Sequence, residues 1–169
     1  MKTKINIIYL LLVFTILVFT GCNKDDDDEL DGLNATVYYS EWITPSAWLG
    51  DSGDWYFSVY APELTEDIAE RGVILAYVSL VGDIYEAPVR PLPAYAVGAN
   101  WSFLIPDYEI IEFTSDLISQ PITTGNNFRF IAIPGNSSKL KSASMGKMNE
   151  EVLRSMPYKE VCRLFNIPE

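Results

Sequence analysis

Few side chains in this 169-residue chain could do chemistry, and none of them is a histidine. Without an imidazole there is no Ser-His-Asp or Cys-His pair and no histidine metal cage. No glycine-rich phosphate loop is present either. The carboxylates remain. Glu109, Glu112 and Asp116 lie close in sequence, and two such groups could run a glycosidase. Glu109 and Glu112 are three apart in an expected strand, however, which sends them to opposite faces and makes them solvated surface charges. Asp51-Ser52-Gly53-Asp54 is too short to specify a calcium loop and reads as a plain turn. The residues therefore imply no catalytic set, no metal and no cofactor.

Aromatic rings are the better ligand candidates. Trp42, Trp48 and Trp55 crowd one stretch. Trp48 falls in an irregular segment, Pro45 to Gly53, where it need not be core. A ring there could stack on a sugar, with the Asp51 and Asp54 carboxylates accepting hydrogen bonds from hydroxyls. Core packing is the commoner use of tryptophan, but Trp48, Asp51 and Asp54 form the candidate ligand site.

The thiols divide into two cases. Cys162 has no disulfide partner if Cys22 is modified. Cys22 follows Lys2 and Lys4, an apolar run from Ile5 to Phe19, and the small residues Thr20 and Gly21. That run is roughly 15 residues, short for a membrane span of about 20 and suited to a signal peptide. Small residues before a cysteine have the pattern of a bacterial lipobox, with Phe19 where leucine is commoner. The expectation is a leader at residues 1–21, cleaved before a diacylated Cys22. Two or three acyl chains would hold the protein on a membrane where one would not.

Residues 22–33 then form an acidic tether. Asn23-Lys24-Asp25-Asp26-Asp27-Asp28-Glu29 is too charged to bury. Directly after a lipidated cysteine, it resembles the export signal of Bacteroidetes outer-membrane lipoproteins. The resemblance implies anchoring in the outer membrane, facing the cell exterior.

Charge narrows the partners. The chain has 12 basic and 23 acidic residues. Removing Lys2 and Lys4 with the leader leaves a net charge of −13. Residues 32–138 hold 13 acids against Arg71, Arg90 and Arg129, while residues 139–169 are slightly basic. An acidic body disfavours nucleic acid and anionic lipid.

The elements that must position these residues are mostly strands. Strands are expected at 34–43, 55–60, 73–81, 84–89, 101–105, 108–113 and 127–133, with a short helix from Leu64 to Gly72. In 55–60, Trp55, Phe57 and Val59 share one face. Val73 to Val81 is apolar on both faces, which places it centrally. Gly82-Asp83 predicts a Gly-first two-residue hairpin, Pro106-Asp107 another turn, and Arg90-Pro91-Leu92-Pro93 an edge. Seven short strands predict a mainly β fold, an antiparallel two-sheet sandwich over residues 34–136. Residues 137–169 are a helical segment packed on it. Met145, Met148 and Val152 share one helical face. Tyr158, Val161, Cys162 and Phe165 then form an apolar stripe, with Ser155 as a cap and Cys162 as a small buried hydrophobe.

Three groups of residues also resemble a recurring Bacteroidetes extracellular domain. They are Leu64-Thr65, Asp67-Ile68, Gly72-Val73, Leu75 and Tyr77; then Arg90 with Leu92-Pro93; then Phe128-Arg129-Phe130 with Ile133-Pro134-Gly135. That domain is a β-sandwich module without a defined biochemical role. The resemblance implies fold and location but no site residues. The function expected is a lipid-anchored surface binding or adhesion module without catalysis, its ligand a neutral glycan or a protein. The alternative is a structural accessory subunit of an outer-membrane lipoprotein or transporter assembly.

Overall fold

The computed structural model describes residues 37–84, 88–135 and 150–169. They form two antiparallel sheets and a helical layer. The strands are β1 (Tyr38–Tyr39), β2 (Leu49–Asp51), β3 (Asp54–Tyr60), β4 (Val73–Ser79), β5 (Arg90–Pro91), β6 (Ala94–Ala96), β7 (Ala99–Asp107), β8 (Ile110–Ser115) and β9 (Asn127–Ile133). The helices are α1 (Glu66–Arg71), α2 (Glu150–Ser155) and α3 (Tyr158–Phe165). One sheet runs β1-β9-β4-β5 and the other β2-β3-β8-β7-β6. The sandwich is as expected from the sequence, with nine described strands instead of seven. Among the described residues no helix is long and apolar enough to cross a membrane.

Between the sheets lies an aromatic core. Trp48, Phe57, Trp101, Phe113 and Phe128 meet there with neighbouring ring centroids 5.0–6.1 Å apart. Mostly edge-on or tilted contacts of this kind suit the ring quadrupoles. Strands β3 and β8 supply alternate residues to this core, so each is buried on one face only.

Strands β4 and β9 differ. Ile74, Ala76, Val78, Phe128, Phe130 and Ala132 enter the sandwich core. Their neighbours Leu75, Tyr77, Ile131 and Ile133 enter a second core, beneath the C-terminal helices. Leu153, Tyr158, Val161, Cys162, Leu164, Phe165 and Ile167 cover that face. The expected stripe on α3 is thus buried. In α2 the inward residue is Leu153, whereas Val152 is exposed; Met145 and Met148 lie outside the described residues. Ser155 ends α2, its Oγ donating to the Val152 carbonyl at 2.9 Å, and does not cap α3. Helix α3 closes with Asn166 in the left-handed region and Ile167 N–H donating to the Cys162 carbonyl at 2.8 Å, a Schellman arrangement.

Other expectations shift by a residue or two, each for a local reason. Gly82, at φ +80°, is the third residue of a turn from Leu80 to Asp83, not the first of a two-residue hairpin. The strand pairing there with β4 is Arg90–Pro91, an edge as expected, and Ile84 is exposed. The β7 strand continues through Pro106, where one extra residue bulges between Leu104 and Asp107, and turns at Tyr108-Glu109 instead. Thr65 occupies the cap position of α1 without a side-chain bond. Gly72 leaves α1 with extended backbone. Glycine is needed there because a Cβ would lie 2.6 Å from the Ile68 and Ile133 carbonyl oxygens.

The most consequential irregularity directly follows β1. Tyr39 opposes Ile131 but Ile43 opposes Phe128, so one extra residue is accommodated between them. Ser40 sits in this bulge. Its Oγ accepts from Phe130 N–H at 3.1 Å, and its carbonyl accepts from Arg129 Nε at 2.8 Å. The extra residue inverts the alternation. Ile43 therefore packs on the sandwich core and Trp42 on the helix side.

Candidate functional site

The structure separates the three residues proposed from sequence. Trp48 is 3% exposed and enclosed by Phe57, Trp101 and Phe128. No ring face is left for a sugar, which removes it from the candidate site. The Pro45–Gly53 segment is less irregular than expected, because Leu49–Asp51 pairs with β3 and draws Trp48 inward ahead of it. Its Nε1 is a buried donor without a partner among the described residues. Asp51 and Asp54 face each other across the turn at Ser52-Gly53 and are exposed. They stay at the surface without the ring they were expected to accompany.

Of the carboxylates behind the glycosidase idea, Glu109 and Glu112 come to one side of the sheet and Asp116 lies apart. Glu109 lies in the β7–β8 turn at φ +61°, so strand alternation does not govern it. Tyr60 Oη donates to Glu109 at 3.1 Å, and Ser58 Oγ donates to Glu112 at 3.0 Å. Ser58 and Tyr60 share a face, so Glu109 and Glu112 serve the same side of the sheet, contrary to the opposite-face expectation. Asp116 lies past the other end of β8, about 24 Å along the strand from Glu109 at ~3.4 Å per residue. Hydrogen bonds from the Asn100 side chain and backbone hold its carboxyl below the usual range. Among the described residues no three His, Cys, Asp or Glu side chains are grouped to hold a metal ion. Cys22 lies outside the described residues.

The helix side holds the buried polar groups. Arg129 is 2% exposed. Beyond Ser40, it donates to Tyr158 Oη at 2.5 Å and to the Pro168 carbonyl at 2.6 Å. The guanidinium lies 5.2–6.0 Å from the ring centroids of Tyr39, Trp42 and Tyr158. Its three oxygen partners come from the residue after β1, from α3 and from the segment after α3, so it fastens the helical layer to the sheet. Burial, then a hydrogen bond shared with Cys162, pushes the Tyr158 hydroxyl up to about 12. Burial also raises the Cys162 thiol, which keeps it protonated and inert. Beside this cluster a groove of about 1080 Å³ runs between the helices and the β5 edge, lined by Trp42, Val89, Pro91, Met156, Pro157 and Tyr158 among others.

The other notable surface is the outward face of the five-stranded sheet. Strand register sets Leu49, Tyr56, Thr114 and Ser102 in one row. Ser58, Glu112 and Leu104 form the next, and Tyr60, Ile110 and Asp107 a third. Tyr60 is 71% exposed, Leu49 54% and Leu104 43%; Tyr95, on β6 at the sheet edge, is 68% exposed. The complementary signal was present in the sequence. If Trp55, Phe57 and Val59 face inward, then Tyr56, Ser58 and Tyr60 must face out.

No family model, curated protein or solved structure matches this chain.

Proposed function

We propose that the protein is a lipid-anchored recognition module of the cell surface, working by binding and not by catalysis. The observation that carries this reading is the outward face of the five-stranded sheet. Monomeric domains seldom leave several large apolar and aromatic side chains together on one face unless the face is used. Tyrosine suits such a role, with an apolar ring and a polar tip. The location rests on the sequence alone: the apolar leader, Cys22 with its lipobox, and the acidic tether that resembles a surface-export signal. In this reading the two chemically rich regions divide the work. The Arg129–Tyr158 cluster holds the fold together, and the open face meets the partner. An accessory subunit of a surface assembly would use the same face.

Location is tested on intact cells. Added protease should degrade the protein without lysis, and Cys22→Ala should release it from the membrane fraction or block its processing. Survival in intact cells with loss after lysis would place it inside. An unchanged membrane fraction for Cys22→Ala would replace the lipid with an uncleaved anchor.

A further inference from the structure

Resting on that reading, we infer that the open face of the five-stranded sheet binds a basic protein surface, one presenting lysine or arginine side chains. Residues 49–60 and 94–116, which contain all five strands of this sheet, hold Asp51, Asp54, Asp107, Glu109, Glu112 and Asp116 and no lysine or arginine. Register puts Asp51, Asp54, Asp107 and Glu112 on the outward side with Tyr56 and Tyr60. Two carboxylates are already oriented, Glu112 by Ser58 and Glu109 by Tyr60. Both hydroxyls are donors, so the carboxylates keep acceptor capacity for a cation.

Among the described residues, the cations outside this sheet are paired, buried or in the helical layer, where Arg154 also lies. Arg71 pairs with Asp67 and Arg90 with Asp83. Arg129 is buried, and Lys159 and Arg163 belong to the helical layer behind the other sheet. Among the described residues the face therefore carries negative charge without local neutralisation, and a complementary partner is positive.

The same charge opposes a second copy of this chain, because two such faces would set like charges against each other. It also disfavours a glycan. Neutral hydroxyls would leave the carboxylates unneutralised. Tyrosine and arginine are enriched at protein interfaces, and a carboxylate is a natural bidentate acceptor for arginine.

The test uses the full-length protein in its native cells with a photo-crosslinking amino acid at single positions. Positions 60 and 104 sample the open face, and positions 159 and 163 sample the helical layer. Adducts should form from 60 and 104 with one protein, through a peptide bearing lysine or arginine. Asp54→Lys combined with Glu112→Lys should lower the adduct yield about tenfold, as should added salt. If the reversed variant does not fold, Asp54→Asn with Glu112→Gln should still lower it severalfold. Adducts to polysaccharide, or yields that ignore charge reversal, overturn the basic-protein assignment and leave recognition standing. Adducts from 159 and 163 alone move the site to the helical layer. No adduct from any of the four positions overturns both the assignment and the recognition reading.

Discussion

The central strands of the four-stranded sheet are buried on both faces and those of the five-stranded sheet on one, and the difference is written in their residue order. Strands β4 and β9 read Val-Ile-Leu-Ala-Tyr-Val-Ser and Asn-Phe-Arg-Phe-Ile-Ala-Ile, with nearly every residue enclosed. Strands β3 and β8 alternate. A strand with apolar side chains on both faces needs two covering layers. The C-terminal helices are the second layer for one sheet, and among the described residues the other has none. The comparison teaches where function can sit. A face whose apolar residues are already covered contributes stability, whereas the other face, among the described residues, leaves Tyr60, Leu49 and Leu104 exposed.

The largest effect should come from uncovering the covered sheet. Deleting residues 150–169 removes Leu153, Tyr158, Val161, Cys162, Leu164, Phe165 and Ile167 from the second core. At ~1.5–3 kcal/mol per large side chain, the loss is on the order of 10 kcal/mol, comparable to the whole stability of a domain. Calorimetry should find no cooperative melt in the truncated protein. A normal melt would show that the helices do not stabilise the sheet.

Arg129 offers a finer break on the same side. Arg129→Met strands the Ser40 and Pro168 carbonyls and should cost about 3 kcal/mol in urea denaturation, since each buried acceptor left unpaired costs ~1–3 kcal/mol. Arg129→Lys should recover only part of that, because one ammonium cannot reach partners on three elements. Full stability in either variant would mean that the helical layer is held by apolar packing alone.

Alkaline pH should act on the covered side first. Tyr158 titrates near 10 when unfolded and about 12 when folded. Its neutral form is therefore favoured by folding. That contribution is complete below pH 10 and is lost as pH rises through 12. Burial raises Tyr77 in the same direction. Stability measured by denaturation should fall between pH 10 and 12, and less steeply in Tyr158→Phe. Equal slopes would remove Tyr158 from the account.

The smallest effect belongs to the open face. Leu49→Ser, Tyr60→Ser and Leu104→Ser should each change stability by no more than about 0.5 kcal/mol, as expected for exposed sites. A loss of several kcal/mol from any of them would mean that the face is part of the core.

How far the sequence reveals this division depends on how local each signal is. The double-faced burial of β4 and the stripe of Tyr158, Val161, Cys162 and Phe165 are periodic, and both are legible. So is the Asp51–Asp54 turn, because Gly53 must take a positive φ there. Trp48 is not legible. A ring between Pro45 and Gly50 has no periodic neighbours, and its burial is decided by Phe57, Trp101 and Phe128 from three separate strands. The bulge that sends Trp42 toward Tyr158 depends on Ser40 bonding across to β9, a long-range event with no local mark. The place of Glu109 is hidden for a related reason. Pro106 looked like a turn but sits in a strand bulge, which moves the turn onto Glu109 itself. The open face was half legible, since one half of the alternation in β3 implies the other. That no described element covers it is a property of the tertiary arrangement and not of any one strand.

The central claim is that the open face is occupied when the protein is at work and the helical layer is not. Hydroxyl-radical footprinting of the full-length protein, purified and in its native cells, tests it most directly. Labelling at Tyr60 and Tyr95 should fall severalfold in cells, while the exposed helical residue Val152 labels equally in both. Equal labelling of Tyr60 and Tyr95 in the two settings, or protection confined to Val152, would contradict the account.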